Sequence, residues 1–283
     1  MSEILGLDDV EALTCDTLRR AGASDLAAGS VARAIRMAER DGLREHGLRQ
    51  VPAYVEHLLC GTIAGRAEPE LRHVKPAAIR VDAGAGFADP AMEAGFDALI
   101  KGADDQGMAA MTVFNGYGCG FPGHPAERIA EAGMLGLCFT NAPARIAALG
   151  EPDPMAGPAR FALGVPGGPH HDARVIVMPA SAMATAGAFD IGLMAQICAT
   201  CLAGVPVSRD VAAIDPLGTP PLSGHCCIAI ETGALSGGAF MAHMARLTAT
   251  PRGIDLPGRK ARALAETNGV AVPQDLLERI INA

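Results

Sequence analysis

Two histidines of this chain lie next to groups with which they could carry out proton transfer. His46 follows Glu45, and His124 directly precedes an apolar pattern typical of a helix. Imidazole exchanges protons near neutral pH, and a buried carboxylate can act as a base. His46, His124 and Glu45 are therefore candidate catalytic residues. Each also has a structural alternative: His46 as a helix-entry residue bonded to backbone, Glu45 as a helix-dipole partner, and His124 as an exposed N-cap neighbour.

The cysteines offer weaker candidates. Cys119 would act as a nucleophile only beside a base or a positive group that lowers its pKa. Cys198 and Cys201 form a CxxC motif within an apolar run, where helical spacing predicts that both thiols lie on one buried face. A zinc site would need a second pair of ligands at similar spacing, and none is evident. The sequence therefore predicts no metal site.

The elements that must position these residues follow from the spacing of apolar side chains. Residues 8–60 predict three helices, with Asp8 and Ser24 as N-caps. Beyond residue 70, short apolar runs predict strands that alternate with helices, as in a layered α/β protein. The predicted strands are 78–81, 109–114, 135–140, 160–165, 174–178 and 226–230, and the helices between them are 90–104, 125–133, 186–203 and 237–248. Two helices, broken near residues 269–273, complete the chain.

Composition excludes several classes of protein. The chain has 283 residues, 49% of them apolar, which argues against disorder, and its 34 Gly and 20 Pro argue against a long helical bundle. With 23 basic and 31 acidic residues, it lacks the positive charge expected of a nucleic-acid-binding protein. The first residues carry no export signal, so we expect a cytoplasmic protein with its 8 Cys reduced. The longest apolar run contains glycines and prolines, which favours a buried strand and helix over a membrane span.

Several segments resemble the malate/L-lactate dehydrogenase family, which also holds ureidoglycolate dehydrogenase and reductases of cyclic imino acids. These segments are 39–63, 113–123, 131–150, 162–168, 193–205 and 256–280, and together they span nearly the whole chain. The resemblance implies an α/β, non-Rossmann layered fold with a helical N-terminal part. It places that part in residues 1–65, with C-terminal helices 256–283 packed nearby, and an α/β body in residues 66–255.

The resemblance also implies chemistry. Members of the family use NAD or NADP to transfer hydride to or from a small 2-oxo, 2-hydroxy or cyclic imino acid, and they are usually dimers. We therefore expect a small carboxylate substrate and a homodimer or larger homo-oligomer. Gly116, Gly118 and Gly120 do not have the spacing of the Rossmann dinucleotide fingerprint, in agreement with a different cofactor site.

Several site positions of the family are replaced in this chain. Gly118 stands where the resemblance places the catalytic histidine, and glycine has no side chain that can donate a proton. Arg49 is next to the position of the family's substrate-binding arginine, which is Gln50 here. Asn115 and Tyr117 lie in the same loop as Gly118 and are candidate substrate-binding residues.

The cofactor side is also altered. Asn141 keeps a family motif at the end of strand 135–140 and, with Ser181, is a candidate cofactor contact; Asn141 could instead simply form a turn. Several dozen family residues have no counterpart between residues 178 and 193. Two functions therefore stay open: an NAD(P)-dependent oxidoreductase, or a non-redox relative without a cofactor, such as a lyase, an isomerase, or a binding or assembly protein.

Overall fold

A computed structural model describes most of the chain. The described residues are 2–118, 121–142, 144, 146–147, 153–156, 160–167, 174–177, 186–210, 222–248 and 259–283. They form a mixed α/β structure, which confirms the predicted fold class. No helix among these residues is long and apolar enough to cross a membrane.

Three helices lie in the first 60 residues, as predicted: α1 (Leu7–Arg20), α2 (Asp25–Arg40) and α3 (Val51–Leu59). Ser24 caps α2, because its side chain accepts a hydrogen bond from the Ala27 backbone N–H. The prediction of Asp8 as an N-cap was wrong, since α1 begins at Leu7 and Gly6 occupies the N-cap position. Asp8 instead lies in the first turn of α1, where its negative charge complements the helix dipole.

A seven-stranded sheet forms the body. Its strands are β2 (Glu70–Lys75), β3 (Ala78–Asp82), β4 (Met108–Tyr117), β5 (Leu135–Thr140), β8 (Arg160–Val165), β9 (Arg174–Val177) and β10 (Leu222–Ile230). Their order is β2-β3-β4-β10-β5-β8-β9. Only β3 and β4 are parallel; the other neighbours are antiparallel. The short strands β6 (Ile146–Ala147) and β7 (Pro154–Ala156) pair separately.

Helices cover both faces of this sheet. On one face, α4 (Ala88–Gln106) packs closely on β3 and β4, since a Cβ at Gly95 would collide with Met111. On the same face, α5 (Gly123–Glu131) packs on β5 and β8, where the absence of a side chain at Gly164 lets the strand approach the backbone of Ala126. On the other face lies α6 (Ala186–Gln196), which continues into a π-helical turn over Ile197–Cys201.

The π-helical turn changes one prediction. Cys198 is half-buried but Cys201 is exposed, so the expectation that both thiols share a buried face was wrong. The hydrogen bonds of a π turn span five residues, so the spacing of a regular α-helix does not apply there.

Five elements follow the sheet: α7 (Thr232–Ser236), α8 (Phe240–Thr248), α9 (Arg259–Asn268), β11 (Val270–Pro273) and α10 (Gln274–Ile281). The last three of them pack on the first part of the chain. The predicted break near 269–273 is a strand, because β11 pairs with β1 (Ser2–Leu5) at the other end of the chain. Val272 and Leu277 join Val10 and Ile35 in one hydrophobic cluster. The proposed division into parts 1–65, 66–255 and 256–283 stays a prediction.

Candidate active site

The segment that carries His46 is a rigid turn between α2 and α3. It consists of two short 3-10 turns, Arg44–His46 and Leu48–Gln50. The buried carboxylate of Glu39 accepts a hydrogen bond of 2.8 Å from the Leu48 backbone N–H, and burial raises the pKa of Glu39. A Cβ at Gly47 would collide with the Glu39 carboxylate. Glu39 therefore fixes the path of this turn.

Two candidate residues on this turn, Arg49 and Glu45, form an ion pair at the protein surface. Arg49 donates to the Glu45 carboxylate, and Gln50 donates to the Glu45 backbone carbonyl at 2.7 Å. The side chains of Arg49 and Glu45 are 51% and 77% exposed. A role of Glu45 as a base would require burial, and this condition is not met.

Ring contacts bring the two candidate histidines to the same place. The His46 ring lies 5.8 Å from the Phe121 ring, and the Phe121 ring lies 5.3 Å from that of His124. The His124 backbone N–H also donates to the Phe121 carbonyl at 3.2 Å. Phe121 thus links the turn after α2 to the start of α5. The connection from β4 to α5, which begins at Gly118, also ends there.

Below His124 lies a group of charged side chains that we call the ion cluster: Arg40, Asp41, Glu127 and Arg262. Arg40 and Arg262 donate to Asp41 at 2.8 and 3.0 Å, and both also donate to Glu127, at 2.8 and 2.6 Å. Both carboxylates are nearly buried. Each carboxylate therefore has two positive partners, and the cluster joins α2, α5 and α9.

His124 borders this cluster and is itself buried. Its Nε2 lies 3.7 Å from Asp41 Oδ2, which is too long for a hydrogen bond. Burial favours the neutral form of Asp41, but His124, Arg40 and Arg262 outweigh it and hold the pKa of Asp41 well below its usual value. His124 is thus held between Phe121 and a set of paired charges, and it is not an exposed N-cap neighbour.

The two candidates at the end of β4 are occupied by internal contacts. Asn115 has a positive φ of 53° and donates from Nδ2 to Asp82 at 3.1 Å, so it shapes an irregular pairing with β10. Tyr117 is buried, and its hydroxyl lies 2.5 Å from His57 Nδ1. Burial raises the pKa of Tyr117 to about 12.

Gly118, directly after β4, has space around it. Its φ is 48°, and a Cβ at this position would meet no atom of the described residues within 4 Å. An αL conformation favours glycine, but asparagine and histidine also adopt it more often than most residues. The Cβ of a histidine at this position would therefore meet no steric barrier from the described part of the chain.

Directly after β5, which is separated from β4 by β10, Asn141 has one satisfied and one free group. Its Oδ1 accepts from the Gly224 backbone N–H at 2.9 Å, and its buried Nδ2 has no hydrogen-bond partner among the described residues. Ser181 and Cys119 lie outside the described residues. Within the described part, no three His, Cys, Asp or Glu side chains are placed to hold a metal ion.

One buried polar residue in the same region, His225, was not among the candidates from the sequence. His225 lies on β10 and is 1% exposed; its Nε2 is 3.2 Å from Ser223 Oγ, which donates to the Gly116 carbonyl at 2.8 Å. His225 Nδ1 and the hydroxyl of buried Thr140 have no partner in the described structure. Thr140, Asn141, Ser223 and His225 are called the strand-end cluster below. A histidine in an otherwise apolar strand was the available signal, but its neighbours depend on strand register.

Solved structures share this fold over nearly the entire chain. Malate dehydrogenase from Pyrococcus horikoshii OT3 superposes with a TM-score of 0.86 at 17% identity, covering 99% of this chain and 94% of that one. Delta1-piperideine-2-carboxylate reductase from Pseudomonas syringae pvar. tomato gives a TM-score of 0.84 at 21% identity, with 99% of each chain covered. These identities are low, so the likeness defines the class of fold.

The family follows from sequence comparison. A family model described as malate/L-lactate dehydrogenase matches residues 5–191. The chain therefore belongs to the malate/L-lactate dehydrogenase family, as the motifs predicted.

Two relatives cover the chain almost completely. Delta(1)-pyrroline-2-carboxylate reductase from Ancylobacter novellus is 30% identical, with 98% of this chain and 96% of the relative aligned. (2R)-3-sulfolactate dehydrogenase (NADP(+)) from Chromohalobacter salexigens is 26% identical, with 100% and 97% aligned. Both alignments run over 329 positions. Since this chain has 283 residues, the relatives contain residues that it lacks.

Proposed function

We propose that this protein is an NAD(P)H-dependent reductase of small cyclic imino acids. Support comes from the relative at 30% identity over nearly the full length, whose name gives Delta(1)-pyrroline-2-carboxylate as its substrate. Further support comes from the turn, the connection and the strand ends described above, which bring His46, His124, Gly118 and Asn141 to one end of the sheet.

The single observation that carries the choice of substrate is Gly118, which stands with open space around it where the resemblance places the family's histidine. Reduction of a 2-oxo acid places negative charge on oxygen, and an acid must then supply a proton. A protonated cyclic imine already carries that proton on its nitrogen, and addition of hydride to its carbon gives a neutral amine. A site without the family's histidine is therefore suited to the imine more than to the ketone.

The described residues fit a nicotinamide cofactor at Asn141. Its free and buried Nδ2 is a hydrogen-bond donor that a carboxamide oxygen would satisfy. NAD(P)H, when bound, supplies the hydride. Ser181 remains a proposed second contact on the strength of the resemblance alone.

The remaining roles concern the substrate. Arg49 is the proposed partner of the substrate carboxylate. The substrate would replace Glu45 as the partner of Arg49, because the Arg49–Glu45 ion pair is exposed and weak. His46, whose ring lies against that of Phe121, is a further proposed polar contact of the substrate. A homodimer or larger homo-oligomer and a cytoplasmic location are proposed with this function.

Gly118 also favours a second candidate, a non-redox relative that binds no nicotinamide. Titration with NADH and NADPH, followed by nicotinamide fluorescence, separates the two, with a reductase of the family as positive control. We expect saturation below millimolar cofactor for one of the two. No binding at millimolar concentration of either would overturn the reductase proposal and leave the second candidate.

A matched pair of variants tests the role of Gly118. Gly118→His should create or raise turnover of 2-oxo acids, because an imidazole returns to the open space. Gly118→Asn tolerates the same positive φ but cannot act as an acid, so it should leave 2-oxo acid turnover at the wild-type level. Equal rates in the two variants would contradict the explanation given for the substrate.

A further inference from the structure

The strand-end cluster lies under the boundary between two helices. In the sheet, β10 lies between β4 and β5. On one face, α4 packs on β3 and β4, and α5 packs on β5 and β8. His225 is on this face, since it lies two residues before Cys227, which packs in the hydrophobic cluster of α4 and α5. The described chain leaves β4 at Gly118, beside Gly116, to which Ser223 is bonded.

The hydrogen bonds define which nitrogen of His225 carries a proton. Ser223 has one hydroxyl hydrogen, and it is donated to the Gly116 carbonyl. Ser223 must therefore accept from His225 Nε2, 3.2 Å away. In the neutral ring, Nδ1 then carries a lone pair. Complete burial lowers the pKa of His225 to about 3, so the ring is neutral at physiological pH. Nδ1 is an acceptor without a donor in the described structure.

Thr140 stands beside this acceptor. It is directly opposite His225 in the antiparallel pair of β5 and β10, so the two side chains share a face. The Thr140 hydroxyl is buried and also lacks a partner among the described residues. Two adjacent buried polar groups without partners are costly in a folded protein, unless another molecule satisfies them.

We propose that His225, with Thr140 beside it, accepts a hydrogen bond from the ring N–H of a five- or six-membered nitrogen heterocycle that carries a carboxylate. This assignment rests on the proposed function and specifies the feature of the substrate that the site recognises. In this assignment His225 does not transfer a proton. It contacts the substrate nitrogen, and Ser223 orients its ring.

The chemistry of the acceptor separates two substrate classes. A protonated cyclic imine and its amine product both present N–H to Nδ1. A 2-oxo acid presents only oxygen lone pairs at its reacting carbon, and two acceptors facing each other in a water-poor site repel. The same site would thus bind an imine and reject a ketone of similar size.

Two planar ligands provide the test. Pyrrole-2-carboxylate has a ring N–H, and furan-2-carboxylate has the same shape with an oxygen in its place. Calorimetric titration of the full chain should show that the pyrrole binds about fivefold more tightly, the contribution expected from one hydrogen bond. The preference should fall to about onefold in His225→Leu and persist in His225→Gln, whose amide can donate to Ser223 and still accept. Thr112→Val is the matched control, because Thr112, on the opposite face of the sheet, has a buried hydroxyl that also lacks a partner in the described part of the chain.

Each outcome decides the assignment. Equal affinity of the two ligands in the wild type, or a preference that survives in His225→Leu, would overturn it and leave Nδ1 to an internal water molecule. Binding of neither ligand would also overturn it. The wild-type comparison does not depend on whether His225→Leu folds. If the preference depends on His225 but no cyclic imine is reduced, the proposed function fails and the assignment of the acceptor stands.

Discussion

Two buried polar regions lie at the same end of this protein, and they differ in how completely their groups are paired. In the ion cluster, Asp41 and Glu127 each accept hydrogen bonds from Arg40 and Arg262. In the strand-end cluster, polar atoms of Thr140, Asn141 and His225 are buried without a partner in the described structure. A paired cluster stabilises the fold without further partners, whereas buried groups without a partner carry a free-energy cost that a bound ligand would remove.

The largest expected effect comes from breaking the paired cluster. Asp41→Asn keeps the shape of the side chain but removes its charge, leaving Arg40 and Arg262 with half of their negative partners. We expect the free energy of unfolding to fall by about 3 kcal/mol, as when one partner of a buried ion pair is lost. Urea denaturation measures this. Lys101→Ala is the control, because Lys101 pairs with Asp105 at the surface of α4, and it should leave the midpoint unchanged.

Acid should remove the same contribution. The pKa of Asp41 is lowered in the folded protein, so its charge stabilises the fold above the unfolded-state pKa of about 4, and this stability is lost as the pH falls below it. The difference in unfolding free energy between wild type and Asp41→Asn should therefore shrink steadily from about pH 5 downward. A difference that is constant between pH 7 and pH 3 would show that the Asp41 charge does not contribute.

The opposite sign is expected in the strand-end cluster. Thr140→Val replaces a buried hydroxyl that has no partner among the described residues by a methyl group, so the free energy of unfolding should rise by about 1 kcal/mol. Affinity for pyrrole-2-carboxylate should not rise with it. Thermal and urea unfolding of the ligand-free protein measure the first effect. Destabilisation comparable to that of Asp41→Asn would remove the distinction between the two regions.

The smallest effect on stability is expected at the surface of the turn. Arg49→Gln should change the free energy of unfolding by less than about 0.5 kcal/mol, because its pair with Glu45 is exposed. It should nevertheless raise KM for the substrate severalfold, with kcat less affected, if Arg49 holds the carboxylate. Arg19→Gln is a matched exposed variant on α1 whose KM should not change. An unchanged KM in Arg49→Gln would exclude Arg49 from the site.

Local sequence patterns predicted where helices and strands lie along the chain. They did not predict which distant segments pair with one another. Strands 135–140 and 160–165 have the predicted bounds, because short apolar runs between glycines and prolines suffice to define them. β10 begins at Leu222, earlier than predicted, because its first residues pair with the end of β4. The pairing of β1 with β11 joins the two ends of the chain, and no local sequence pattern predicts this pairing.

The candidate site residues show the same difference between local and long-range information. The family motifs predicted His46 and Asn141 as site residues and pointed to the replacement at Gly118, since these depend on order along the chain. The state of His124 depends on Arg262, which lies on α9 far along the sequence, and that of His225 depends on the register of three strands. Burial and pairing arise only when such segments meet, so local sequence does not reveal the surroundings of either histidine.

The most direct test of the central claim is a comparison of initial rates of NADH or NADPH oxidation by the wild-type protein with Delta(1)-pyrroline-2-carboxylate and with pyruvate. We predict that the cyclic imine is reduced and that pyruvate is reduced at least about 100-fold more slowly, the usual contribution of a missing acid. Comparable rates with the two substrates, or no oxidation with the imine, would contradict the claim that this site reduces imines without the family's histidine.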